Sequence, residues 1–294
     1  MSLDNKYIHC AIARLSGVLE ALEVLLRNPL ICNALVALGV LMTLRSFSRA
    51  LSRWAFNNWR RSKAWTPERE LVLLTGGCSG IGWQVMEDLA STGVRVVILD
   101  IAPPNFALPN SASFYRANVS SPQSIAEVAK AIRSDHGEPT ILVNNAGVGH
   151  DGTILDEFYE DIRHTFEVNT LSHFAMVKEF APSMVRANHG HIVTVASFAS
   201  FAGMGGMVDY CCSNASALAF HEGLRLELRY WYKAPNVRTT LSCTSIIHPS
   251  WVRTPMIKGI AENESQFWQR ILRPQEVSQA ICNQIVRNSG DPSS

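Results

Sequence analysis

The segment LVLLTGGCSGIG, residues 71–82, constrains the fold more than any other stretch of this chain. An apolar run of strand character ends at Gly76 and a helix-period stretch begins near residue 80, so a buried strand must turn into a helix within a few residues. Three glycines have distinct uses in such a turn. Gly76 permits the tight bend, the bare backbone at Gly80 lets a pyrophosphate approach the helix N-terminus, and Gly82 lets the helix pack close to its strand. Many ordinary tight turns carry glycines too, so the surrounding pattern has to decide.

That pattern is an alternation of short apolar runs with helix-period segments. Residues 94–100, 140–147, 191–197 and 238–249 read as further strands, with a weaker one at 113–119; helical stretches are expected near 80–92, 122–134, 155–187, 209–233 and 274–288. Repeated βαβ units predict an α/β fold, a Rossmann-type doubly wound parallel sheet whose apolar strands are buried on both faces. Asp100 closes the second strand 24 residues after Gly76. A carboxylate there accepts from an adenosine ribose 2′-hydroxyl and repels a 2′-phosphate, and Ser79, not a cation, precedes Gly80, so NAD(H) is favoured over NADP(H).

The first 66 residues are of a different kind. They carry a net charge of +6, against −5 for the remainder, although the whole chain is nearly neutral at +1. The run NPLICNALVALGVLMTL (Asn28 to Leu44) holds seventeen uncharged residues between Arg27 and Arg45, at the lower edge of what spans a bilayer. Before it, AIARLSGVLEALEVLL is interrupted by Arg14, Glu20 and Glu23 and suits an interfacial helix or the first arm of a hairpin. After it, Arg45, Arg49, Arg53, Arg60, Arg61 and Lys63 alternate with Phe47, Trp54, Phe56, Trp59 and Trp65, the composition of a cytoplasmic membrane interface. Residues 1–66 are therefore expected to be a membrane anchor with a basic, aromatic linker, and 67–294 a single globular domain facing the cytosol. A buried helix of a soluble domain is the competing reading of the anchor. Seven cysteines form no CxxC pair and no zinc spacing, so neither a disulfide scaffold nor a metal site is expected. No nucleic-acid partner is expected either.

The motifs TGGCSGIG, NNAG (144–147), VNT (168–170), Ser197 thirteen residues before Tyr210, and HPSWVRT (248–254) occur in an order and spacing that resembles the short-chain dehydrogenase/reductase family over roughly residues 70–290. The N-terminal segment makes the chain look most like the membrane-bound branch that handles retinol, sterols and 17β-hydroxysteroids. The resemblance implies an oxidoreductase in which a hydride passes between nicotinamide and a hydrophobic alcohol or ketone of terpenoid, steroid, retinoid or lipid type. It implies Tyr210 as proton donor, Ser197 as partner of the same substrate oxygen, and Asn169 as holder of a relay water. Ile81, Asn145 and Gly147 would line the cofactor, with Pro249, Val252 and Thr254 at its carboxamide, and a homodimer would pair through the helices at 155–187 and 209–233.

Four departures accompany the resemblance. Asn118 stands where the family commonly has an aspartate facing adenine, and Ser250 replaces a glycine. Asn214 occupies the position of the lysine four residues after the tyrosine, and the sequence ends at NSGDPSS, where relatives usually continue into a last strand and a closing segment. Without the lysine's charge the Tyr210 phenol stays protonated at neutral pH, which predicts that oxidation suffers more than reduction. The alternative is a catalytically impaired relative that binds a dinucleotide and serves as a membrane-bound scaffold. His189, His191 and His248 are expected to be structural.

Overall fold

The computed structural model describes residues 28–56, 65–243, 251–257 and 271–287 of the 294-residue chain. The chain divides into two compact units, Met1–Trp59 and Arg60–Ser294.

In the first unit, helix α1 spans Pro29–Phe56. Proline suits the first turn because its missing N–H would find no partner there, and Asn28 caps the helix, its Oδ1 accepting from Leu30 N at 3.0 Å. Within it, Pro29–Ser48 is a 20-residue stretch long and apolar enough to cross a membrane, and it contains the expected run up to Leu44. Leu30, Val36, Leu41, Met42, Leu44 and Phe47 are exposed on it. Thr43 in mid-helix is satisfied internally, its Oγ1 donating to Val40 O at 2.8 Å. The preceding residues 1–27, and Arg60, Arg61 and Lys63 of the linker, lie outside the described residues.

The second unit runs β1 (Leu71–Thr75), α2 (Gly80–Ser91), β2 (Arg95–Asp100), β3 (Ala112–Arg116), α3 (Pro122–His136), β4 (Ile141–Asn144), α4 (Tyr159–Phe166), α5 (Ser172–Ala187), β5 (Gly190–Ala196), α6 (Val208–Leu226), β6 (Val237–Cys243), β7 (Trp251–Val252), β8 (Ile271–Leu272) and α7 (Pro274–Arg287). Six strands form one parallel sheet in the order β3-β2-β1-β4-β5-β6, and β7 pairs with β8 separately. The order reverses between β1 and β4, which opens a crevice at their C-terminal ends.

Side chains along β1 alternate between two cores because successive residues of a strand point to opposite faces. Leu71 and Leu73 join Ile125, Ile132, Phe180, Met184 and Leu224 from α3, α5 and α6. Val72 and Leu74 join Val85, Leu89, Ile281 and Ile285 from α2 and α7. Both faces of the sheet are thus covered, as its apolar strands predict.

The boundaries differ from the sequence expectation in instructive ways. The helix expected at 155–187 begins only at Tyr159, because Thr153 and Asp156 close a turn ahead of it. It is also interrupted by a π-helical turn, Glu167–Leu171, that joins α4 to α5, and a second such turn, Glu227–Trp231, follows α6. The strand expected at 140–147 stops at Asn144, since the next two backbone N–H groups, of Asn145 and Ala146, turn to Thr75 Oγ1 at 3.0 Å each. Of the strand expected at 238–249, residues up to Cys243 are described; His248, Pro249 and Ser250 lie outside the described residues.

Candidate active site

A cleft of about 670 Å³ opens at the C-terminal ends of β1, β2, β4 and β5. Gly76, Gly80, Ile81, Gly82, Asp100, Asn118, Asn145, Gly147, Asn169, Ser197, Tyr210, Asn214, Val252 and Thr254 all line it. Every described residue that the sequence singled out for binding or chemistry therefore meets in one place, and Pro249 lies outside the described residues.

The glycine turn is built on contact, not only on flexibility. Gly76 and Gly80 take positive φ values of 66° and 54°. A Cβ on Gly82 would lie 2.0 Å from Gly76 O, so any side chain there would push α2 off the turn. Asn145 locks the turn from β4: its Nδ2 donates to Thr75 O at 2.9 Å and Gly76 O at 3.0 Å. The side-chain amide of Asn145 is thus committed to the protein itself. Thr254 closes against the turn from the other side, its Cγ2 standing 3.1 Å from where a Gly80 Cβ would be.

Asp100 ends β2 half-buried, with Oδ2 accepting from Cys78 N at 3.0 Å and Oδ1 from Ala102 N at 3.3 Å. It braces the glycine turn while keeping lone pairs free for a ligand. Burial first, then the Asp100 charge, pushes the Cys78 thiol up to about 12, so that thiol is no nucleophile. Asn118 is exposed, and its Oδ1 accepts from both the N–H and the hydroxyl of Ser120, at 3.0 and 2.9 Å. The Asn118 side-chain carbonyl is therefore engaged within its own loop.

The other end of the cleft holds the polar cluster. Asn169 sits on the π-helical turn and grips the strand-end loop, its Oδ1 accepting from Val148 N and its Nδ2 donating to Val148 O, both at 2.8 Å. The same Nδ2 donates to Ser213 Oγ at 3.1 Å, tying that turn to α6. Ser197 is buried and its Oγ accepts from Ala199 N at 3.2 Å, capping the short turn after β5. Tyr210 lies one turn ahead of Asn214 on α6. Burial raises the Tyr210 phenol above its usual value of 10, and side-chain hydrogen bonds with Ser197 and Asn214 pull it part of the way back. Asn214 is buried, and its Nδ2 donates to Tyr210 O at 2.9 Å, a bond to the helix's own backbone. No lysine or arginine is among the described residues lining the cleft. The wall around Tyr210 is completed by Val148, Met204, Met207, Trp251 and Met256.

One cluster had no signal in the sequence. A ring nitrogen of His150, a carboxylate oxygen of Glu157 and one of Asp209 lie within 4.8 Å of one another beside the Tyr210 end of the cleft. Burial and the adjacent Asp209 charge raise the Glu157 carboxyl above its ordinary value. His150 and Asp209 are 59 positions apart, so no motif could join them.

Fold and cleft together define a dinucleotide-binding α/β protein of the doubly wound class. Within it, residues 70–265 match the family model described as short chain dehydrogenase, and the chain belongs to that family. It is 41% identical over 209 residues to the dehydrogenase RED2 of Cochliobolus heterostrophus, covering 70% of this chain and 77% of the relative. It is 30% identical over 261 residues to human 17-beta-hydroxysteroid dehydrogenase 13, with 86% and 82% covered. Among solved structures, the aldohexose dehydrogenase of Thermoplasma acidophilum shares the fold with a TM-score of 0.65, at 24% identity over 75% of this chain and 88% of that one. The protein is an oxidoreductase acting on CH–OH groups, of a family that uses nicotinamide dinucleotides.

Proposed function

We propose that the protein reduces a hydrophobic ketone to a secondary alcohol with NADH, while anchored to a membrane by α1 and with its second unit in the cytosol. The observation that carries this reading is the joint placement of Ser197 and Tyr210 in the same cleft as the glycine turn, within an apolar wall. The residues present fit the cofactor: the turn at Gly76–Gly82 offers bare backbone at a helix N-terminus, and Asp100 stands at the end of the next strand. A bound nicotinamide supplies the hydride. Ser197 donates a hydrogen bond to the carbonyl oxygen, and the Tyr210 phenol gives that oxygen its proton. Asn169 holds the loop and the helix that frame them, and holds the relay water in the family pattern.

The direction follows from charge. With Asn214 in the lysine position and no lysine or arginine among the described residues lining the cleft, the phenol keeps its proton, the state needed for reduction and the wrong one for oxidation. The carboxylate of Asp100, with no lysine or arginine among the described residues lining the cleft, supports NAD(H) over NADP(H). The relatives' names speak for a steroid-like substrate, in keeping with the methionine- and tryptophan-lined wall. Residues 1–66 then act as anchor and linker and 67–294 as the catalytic domain. Exposed Leu171 just before α5, Phe174 on α5 and Leu226 on α6 support a homodimer through those helices.

A second reading is favoured by one observation: one N–H of the Asn214 amide is spent on the Tyr210 backbone carbonyl and the side chain carries no charge, so the help it gives the phenol is weak. On that reading the protein binds a dinucleotide and acts as a membrane-bound scaffold. The test is to measure NADH and NADPH binding to the purified protein and then turnover on hydrophobic ketones. Binding with turnover supports the first reading, binding without turnover the second, and no binding removes both.

A further inference from the structure

We propose that His150, Glu157 and Asp209 form a binding site for a divalent transition-metal cation, one that staples the loop after β4 to the first turn of α6. The decisive residue is Asp209. It is 5% exposed, and no N–H or hydroxyl among the described residues donates to either of its carboxylate oxygens, although it sits in the first turn of a helix whose N–H groups a carboxylate would ordinarily cap. Glu157 Oε1 is likewise buried without such a donor. The two carboxyl groups face each other, and a hydrogen bond between them holds only while one keeps a proton; a divalent cation satisfies both in their charged forms.

The imidazole supports the same conclusion. His150 Nδ1 lies 3.3 Å from Thr165 Oγ1, and that hydroxyl donates its only proton to Asp161 O at 3.0 Å. Thr165 must therefore accept, so Nδ1 carries the hydrogen and Nε2 keeps the lone pair that a metal needs. Orientation of a ligating histidine through its other nitrogen is the usual arrangement around zinc. With bonds of about 2.1 Å, ligand atoms around such an ion stand about 3.4 Å apart, so the three side chains need move inward by only an ångström or so. One imidazole and two carboxylates neutralise a divalent ion, with a fourth position left for water. The backbone already draws the same segments together, with Gly152 N donating to Gly206 O at 3.0 Å.

The staple would fix the wall of the cleft directly beside Tyr210, and it does not depend on the nicotinamide reading. It is tested on the detergent-solubilised full chain by titration with Co²⁺, followed by visible absorption, with Zn²⁺ as competitor and circular dichroism to verify folding. One equivalent of Co²⁺ is expected, with weak d–d bands, no thiolate charge-transfer band and displacement by Zn²⁺. Asp209→Asn and Glu157→Gln should each weaken binding by about tenfold or more. If Asp209→Asn fails to fold, Glu157→Gln on the loop still decides. No saturable binding at millimolar Co²⁺, a thiolate band from cysteine ligation, or unchanged affinity in the folded variants would each overturn the proposal.

Discussion

Tyr210, Ser197 and Asn214 were legible in the sequence as positions, because the family spacing is local to one strand end and one helix. Their interactions were not. That Asn145 holds the glycine turn, and that Asn118 spends its carbonyl on Ser120, depends on strand register and loop closure. Two predictions belong to this scale. Tyr210→Phe removes the proton donor and should lower kcat for ketone reduction by about 10²–10⁴-fold with little change in NADH affinity. Asn214→Lys adds the missing cation, which draws a nearby phenol toward phenolate by about 1–3 pKa units. Alcohol oxidation at neutral pH should then rise about tenfold or more, while reduction changes less. Equal ratios of the two rates in wild type and variant would show that position 214 does not set direction.

At the scale of elements, the alternation of strands and helices was legible because apolar periodicity reports burial directly. The π-helical turn Glu167–Leu171 was not, since one extra residue in a turn leaves the apolar pattern of a helix nearly intact. Yet that turn carries Asn169 and aims both ends of its amide at Val148. The β1–turn–α2 unit shows the reverse case, in which sequence and structure agree for a mechanical reason. With Gly76 O only 2.0 Å from a Cβ at position 82, Gly82→Ala must displace α2 from β1. Its cost is expected at several kcal/mol, the range of overpacked or strained core sites, with loss of dinucleotide binding. Gly93→Ala is the control: it also has positive φ, at 84°, but a Cβ there meets nothing within 4 Å. It should cost only about 1 kcal/mol and leave binding intact. Urea unfolding of the two variants, with NADH titration, separates packing from backbone strain.

At the scale of the whole molecule, three histidines are buried in or beside the core, His173 on α5, His221 on α6 and His191 at the start of β5, a feature that single residues in a sequence do not announce. Burial lowers His173 and His221 to about 4 each, with the charge of His221 adding to the effect on His173 and that of Arg225 to the effect on His221. Burial first, then the charges of Arg238 and His221, puts His191 well below its ordinary value as well. In the unfolded chain all three titrate near 6.5. A folded pKa below the unfolded one means that the unfolded chain binds protons first, so these groups leave stability untouched above pH 6.5 and erode it as pH falls from 6.5 toward 4. One such group shifted from 6.5 to about 4 accounts for on the order of 3 kcal/mol at the acid end. Glu70 works in the same direction at lower pH. Burial alone would raise its carboxyl, but hydrogen bonds from His189 and Thr140 and the charges of His189 and Arg238 win and lower it, so its contribution is present above 4.5 and lost as pH falls through its folded value. Thermal unfolding of the second unit, followed in the full chain in detergent, should therefore give a Tm that is flat from pH 8 to about 6.5 and falls steadily below it. His221→Gln, which cannot take up a proton, should flatten part of that fall. A wild-type Tm that holds constant down to pH 4.5 would show that these imidazoles are solvated or charged in the native state.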